Sequence, residues 1–195
     1  HFTLAAAAGA MPVAMALAGR HNVYNALAAA AAALAAGATL AQIAAGLAAV
    51  RPVCGRLQFR PLPGGAWLID DSYNANPSSA RAALEVLAEL PGRHWLVLGD
   101  MAELGEHAPA SHRELGALAR ALGIERLYTF GPLAALAAES FGAGAERHTD
   151  IDALLRAVGT GLPGEVRLLI KGSRVNRLER LVAALVGAPA ARQAS

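Results

Sequence analysis

Three short, largely apolar runs, Trp95-Leu96-Val97-Leu98, Leu127-Tyr128-Thr129-Phe130 and Val166-Arg167-Leu168-Leu169-Ile170, are separated by stretches in which apolar residues recur at helical intervals. A strand that is apolar throughout must be covered on both faces, and a helix between successive strands lets them run parallel. This alternation restricts residues 52–195 to an α/β fold, a doubly wound, mainly parallel sheet with right-handed crossovers. Helices are expected at 78–90, 110–122, 132–141, 151–158 and 175–186. A hairpin of strands 57–62 and 66–70, joined by Pro63-Gly64-Gly65, should open the domain.

Residues 1–51 have a different texture. An alanine-rich helix is expected over 25–36, ended by Gly37, and a second over 39–49 with Thr39 as its N-cap, closing before Arg51-Pro52. Before them the tail of one strand and another strand at 12–18 are expected. The chain starts at His1, which reads as an entry point into a larger protein, so these helices should leave apolar surface uncovered. Alanine, about a quarter of all residues, is too small to make a bilayer-seeking segment, and Gly9 and Pro12 interrupt the apolar stretch 4–19. Neither a signal peptide nor a membrane insertion is read here. The last eight residues, 188–195, are expected to fray.

Seventeen basic and 15 acidic residues leave a net charge of +2, too little to imply nucleic acid by bulk electrostatics. Any anion site must be local. The lone cysteine, Cys54, excludes a disulfide framework and a multi-cysteine metal site, suits the cytoplasm, and is expected to be a small buried side chain. The histidines His94, His107, His112 and His148 lack metal-ligand spacing and read as surface or capping residues.

In open α/β sheets ligands gather at the carboxyl ends of strands. Four segments there or nearby carry chemistry. Asp70-Asp71-Ser72-Tyr73-Asn74-Ala75-Asn76-Pro77 crowds carboxylates, a hydroxyl, a phenol and amides at a strand end, with donor and acceptor patterns suited to sugar and peptide groups. Asn76 and Pro77 also read as a helix cap and first helical residue. Leu98-Gly99-Asp100-Met101-Ala102-Glu103-Leu104-Gly105 places Asp100 and Glu103 where they could hold a cation or orient a basic partner, or merely form a turn; Gly99 permits an unusual backbone there. Lys171, the only lysine, with Ser173 and Arg174 reads as an anion or carboxylate site at a helix start. Asn22 and Asn25, three apart at the head of the alanine helix, can present paired amides to an adenine edge. Neither a G-x-G-x-x-G nor a G-x-x-x-x-G-K-[ST] loop occurs.

The succession of His21-Asn22-Val23-Tyr24-Asn25, Gly55-Arg56, the Asp70–Pro77 octet, Leu98–Gly105 with His112 downstream, and Lys171-Gly172-Ser173-Arg174 resembles the Mur ligase family over nearly the whole chain. Within that family it is similar to the members that add D-alanyl-D-alanine to UDP-N-acetylmuramoyl-tripeptide in peptidoglycan synthesis. The resemblance implies that residues 1–51 are the C-terminal part of a central ATP-binding domain and residues 52–195 the C-terminal domain. It implies ATP and Mg2+ as cofactors of the complete enzyme, with phosphate loop, Mg ligands and a modified lysine upstream of His1. Asn22 and Asn25 would contact adenine, Arg56 the phosphates or ribose, and Asp71 the ribose with Tyr73 and Asn74 nearby; Asn76, Lys171, Ser173 and Arg174 would serve the dipeptide and reaction centre. The chain alone would then be inactive. A folylpolyglutamate-synthetase-like ligase, or a nucleotide- or peptide-binding module without turnover, are the other readings.

Overall fold

A computed structural model describes residues 1–160 and 162–187, so the tail expected to fray lies outside the described residues. The chain divides into two compact units, His1–Val53 and Cys54–Ser195.

The first unit opens with an antiparallel hairpin of β1 (Phe2–Ala6) and β2 (Gly9–Val13), Phe2 lying opposite Val13. The second strand thus precedes the expected 12–18, because Gly9, at φ 126°, turns the chain at once. Pro12 is tolerated because a two-stranded ribbon leaves edges that need no ladder donor. Helix α1 (Arg20–Ala35) begins at Arg20 rather than residue 25, and Gly37 (φ 90°) ends it with Ala38 N–H donating to Ala33 O at 3.0 Å. Helix α2 (Leu40–Ala49) is capped by Thr39, whose hydroxyl accepts from Gln42 N–H in a reciprocal capping box. Leu4, Val13, Ala26, Ala30, Ile43 and Leu47 form the small core. The remaining face of α1 shows alanine, Tyr24 and Leu27 to solvent.

The second unit is a six-stranded sheet. Its hairpin pairs β3 (Gln58–Pro61) with β4 (Trp67–Asp71), and strands β5 (Arg93–Gly99), β6 (Arg126–Phe130), β7 (Ala145–His148) and β8 (Val166–Lys171) follow. The order is β3-β4-β8-β5-β6-β7, with every pairing parallel except β3 with β4. Strand β7 is absent from the sequence expectation; it lies at the sheet edge, and Ala145-Glu146-Arg147-His148 needs no apolar run there. The helices are α3 (Pro77–Ala88), α4 (Ala108–Ala121), α5 (Ala134–Phe141), α6 (Ile151–Gly159) and α7 (Glu179–Gly187).

Strand alternation sorts the core into two layers. Ile69, Leu96, Leu98, Leu127 and Leu169 meet the apolar stripes of α3, α4 and α5, whereas Leu68, Trp95, Val97, Tyr128, Leu168 and Ile170 meet α6 and α7. Strand β8 arrives over the second face and inserts between β4 and β5, whose own helices leave over the first. The chain therefore departs to opposite sides from neighbouring strand ends, and a doubly wound sheet opens its crevice at such a switch point. Among the described residues no helix is long and apolar enough to cross a membrane.

Candidate functional site

Three of the polar segments meet at this switch point. Asp71, the last residue of β4, stands in register with Lys171, the last of β8, and Leu98 of β5 lies on the other side of Lys171. Lys171 Nζ donates to Asp71 Oδ2 at 2.5 Å and to Asn74 O at 3.0 Å, and Asp71 Oδ1 accepts from Leu57 N–H at 3.1 Å. Both side chains are largely withdrawn from water, Lys171 to 3% and Asp71 to 12% exposure. Asp70 is buried as well, and its carboxylate accepts from Ser72 N–H and Oγ–H, with Arg60 Nε 3.7 Å away. The two neighbouring carboxylates are thus each held by internal partners, Asp70 by Ser72 and Asp71 by Lys171 and Leu57.

Ser173 is also spent inward. Its hydroxyl donates to Ala75 O (3.1 Å) and accepts from Ala102 N–H (2.9 Å), stitching together the segments after β4, β5 and β8. The expected anion site of converging cations at a helix start takes another form: residues Arg174–Asn176 make a single 3-10 turn, and α7 begins only at Glu179. Lys171 points into the buried pair with Asp71, and Arg174 remains exposed.

Arg174 and Arg56 converge on Tyr73. Their guanidinium carbons lie 5.7 and 4.4 Å from its ring centroid, and the ring is 43% exposed. Cations over an aromatic face are favourable, and a guanidinium set against a ring keeps in-plane donors for an anion. Gly55 permits this approach. It has φ 72°, its carbonyl accepts from Tyr73 N–H at 3.0 Å, and an added Cβ would fall 3.1 Å from Tyr73 Cβ.

Asn74 and Asn76 are exposed beside the ring. Asn74 Oδ1 accepts from Ala75 N–H, while Asn76 Oδ1 accepts from Ser79 N–H (2.8 Å) and Ser78 Oγ–H (2.9 Å), capping α3 ahead of Pro77. Asn76→Ala should cost about 1 kcal/mol in urea unfolding, and Asn76→Asp or Asn76→Ser should restore most of it. A loss in the alanine variant that neither replacement reduces would show that capping is not what the side chain contributes.

The loop after β5 is held from several sides. Asp100 Oδ1 accepts from Ala134 N–H at the start of α5, so this carboxylate serves a helix end, while Glu103 is exposed with φ 64°. Gly99 does not need a positive φ; its missing side chain instead makes room for Asn176, whose Cγ would lie 2.8 Å from an added Cβ. His112 is fully buried rather than a surface or cap residue: its Nδ1 faces Ala108 O at 2.6 Å and its Nε2 accepts from Met101 N–H at 2.9 Å. Cys54, expected to be buried, is exposed, its Sγ 3.9 Å from an Arg60 nitrogen. Among the described residues the non-glycine positions with left-handed φ are Leu57, Glu103 and Arg177, one each in the loops that precede β3, follow β5 and follow β8. Such strain persists only where surrounding contacts impose it.

In the first unit, Asn22 Nδ2 donates to Ala18 O at 2.7 Å, and Asn25 Nδ2 lies 3.4 Å from Asn22 Oδ1. The two amides share one face of the first turns of α1, whose N-cap is Gly19. Among the described residues no group of three or more His, Cys, Asp or Glu side chains is placed to hold a metal ion. A Mg2+ ion would thus find no three such ligands together among the described residues.

The doubly wound unit is a domain of the glutamate-ligase class: residues 55–174 match the family described as Mur ligase, glutamate ligase domain. The chain belongs to the Mur ligase family. It is 44% identical over 186 residues to UDP-N-acetylmuramoyl-tripeptide–D-alanyl-D-alanine ligase of Escherichia coli K12, an alignment covering 94% of this chain and 41% of the relative. A crystal structure of MurF from Acinetobacter baumannii superposes with a TM-score of 0.85 at 35% identity, over 96% of this chain and 42% of that one. MurF of Thermotoga maritima, solved in complex with ADP, gives a TM-score of 0.82 at 25% identity, over 94% of this chain and 42% of that one. The chain therefore spans about two fifths of the length of the curated relatives it matches.

Proposed function

We propose that this chain is the carboxyl-terminal part of an ATP-dependent ligase of peptidoglycan precursor synthesis that joins D-alanyl-D-alanine to UDP-N-acetylmuramoyl-tripeptide. In this reading residues 1–51 end the central ATP-binding domain and residues 52–195 form the C-terminal domain. The observation that carries it is the exposed Arg56–Tyr73–Arg174 stack at the switch point of a Mur-type sheet. The relatives named for this reaction, and the neighbour solved with ADP, support the same assignment.

Arg56, with Tyr73 and Asn74 beside it, holds nucleotide phosphate or ribose. Asn22 and Asn25 are assigned to the adenine by resemblance, and contact with it would have to replace or share the bonds Asn22 makes to Ala18 O and Asn25 Nδ2. Arg174 takes the terminal carboxylate of the dipeptide, with Asn76 next to it, since a guanidinium binds a carboxylate through two parallel hydrogen bonds. Asp71, placed by resemblance at the ribose, keeps further lone pairs on its two bonded oxygens; Lys171 and Ser173 serve the reaction centre from behind, by holding the loop that carries Tyr73. The reaction requires a tripeptide carboxylate activated as an acyl phosphate and attacked by the dipeptide amine. The chain's contribution is to orient that amine and place positive charge near the developing oxyanions. Mg2+ would supply charge neutralisation of the phosphates, held by residues outside this chain.

The complete ligase provides the test. Arg174→Ala should raise the KM for D-alanyl-D-alanine roughly tenfold or more while leaving that for ATP within about twofold, and Arg56→Ala should do the reverse. Equal effects on both substrates, or none, would remove the assignment.

A further inference from the structure

Asn176 has no part in the reading above, yet it is the most fully engaged amide near the stack. The side chain is buried. Its Nδ2 donates to Asp100 O at 2.7 Å and to Ser173 O at 2.8 Å, and its Oδ1 accepts from Asp100 N–H at 3.1 Å. One residue thus joins the loop after β5 to the turn after β8 through both of the amide's polar ends, a pattern that neither a hydroxyl nor a carboxylate can reproduce. Space for it is reserved by two glycines. An added Cβ at Gly99 would lie 2.8 Å from Asn176 Cγ, and one at Gly172 would lie 3.1 Å from its Nδ2.

The turn closed by this amide is the one that carries Arg174. Ser173, before Arg174, is fixed by its hydroxyl to Ala75 O and Ala102 N–H and by its own N–H to Asp100 O at 3.0 Å. Asn176, two residues after Arg174, is fixed to Asp100, and Arg177 beyond it takes a left-handed φ of 50°. Arg174 and Val175 lie between two buried anchors and are exposed.

We propose that Asn176 is a positioning residue: its side-chain amide latches the turn after β8 to Asp100 and so holds Arg174 against Tyr73, where the guanidinium can meet a carboxylate. This rests on the reading of Arg174 as the group that takes the terminal carboxylate of the dipeptide. Asn176 touches no ligand and acts through Arg174.

The test is the KM of the complete ligase for D-alanyl-D-alanine, for wild type, Arg174→Ala, Asn176→Ala and the double variant. Each single variant should raise it roughly tenfold with the KM for ATP within about twofold, and the double variant should be no worse than Arg174→Ala alone, because residues acting as a unit are not additive. Independent losses that multiply in the double variant, or an Asn176→Ala KM equal to wild type when that of Arg174→Ala is raised, would overturn the role of Asn176. An Arg174→Ala KM equal to wild type would instead overturn the reading of Arg174. Should Asn176→Ala fail to fold, hydrogen exchange in the wild-type ligase decides: D-alanyl-D-alanine should slow exchange of the Asn176 side-chain amide protons, which donate to Asp100 O and Ser173 O, and an unchanged rate would count against the latch while a shifted Arg174 signal still reported the dipeptide.

Discussion

Replacing Lys171 by methionine should destabilise the Cys54–Ser195 unit by about 3–5 kcal/mol, the cost of leaving a buried charge without its partner. The methylene stem has a near-isosteric replacement, so the loss is not one of packing volume. Asp71 remains at the end of β4 with Leu57 N–H as its other partner, and Asn74 O loses its donor. In a unit of this size the midpoint of thermal unfolding should fall by roughly 10 °C. The double variant Lys171→Met, Asp71→Leu should recover much of the loss, since a buried ion pair and a well-packed apolar pair are often of similar stability. Urea unfolding followed by tryptophan fluorescence checks both. A loss below about 1 kcal/mol for Lys171→Met would mean that the pair is wet and tradable, and the lysine would then be available to a ligand.

Gly116→Ala should destabilise the same unit by about 3 kcal/mol, at the upper end of the usual cost of overpacking. The sign is informative. In an exposed helix interior alanine is more favourable than glycine by about 1 kcal/mol, so propensity alone predicts a gain. At Gly116 in α4, however, an added Cβ would fall 2.1 Å from Ala137 O and 2.7 Å from that residue's carbonyl carbon and Cα. These are backbone atoms of α5 and cannot rotate away. Accommodating the methyl requires α5 to move, and the N-terminal end of α5 receives Asp100 Oδ1 from the loop after β5. Thermal unfolding gives the stability, and the amide resonance of Ala134 reports whether the displacement reaches the loop. An alanine variant as stable as wild type would show that the helices are not in contact at this point.

The central part of this architecture is legible in the sequence because the forces that make it are local in pattern. Strands β5, β6 and β8 are apolar runs, and no solvated face could host them. The capping residues Thr39 and Asn76 and the terminating Gly37 act on backbone groups within a few positions and lie where the pattern puts them. Edge strand β7 is not legible, since one paired side and partial burial ask little of its residues. The start of α7 is masked because residues 175–178 carry no breaker; only the turn imposed by Asn176 and the left-handed Arg177 delays the helix.

For the candidate site, the segments were legible and the directions of their side chains were not. Composition at a strand end reveals that Asp71, Lys171 and Ser173 are polar groups near one another. Whether they face water or each other depends on register across β4 and β8, which lie far apart in the chain. The same long-range pairing hides Asn176 and His112, whose partners are backbone groups of the loop after β5. The one local signal for Asn176 is Gly99 and Gly172, two glycines at ends of adjacent strands where a neighbour needs room.

Among the described residues, the strand that completes the middle of the sheet is the last of the strands in sequence. Until residues 166–171 have left the ribosome, β4 and β5 have no common neighbour and the Asp71 carboxylate has no counter-ion. Closing so distant a pair is entropically late in folding, since contacts of high sequence separation form only after the intervening chain has been ordered. Synthesis halted a few residues short of Lys171 would thus leave nearly all of the described helices in place around an unfilled slot between β4 and β5.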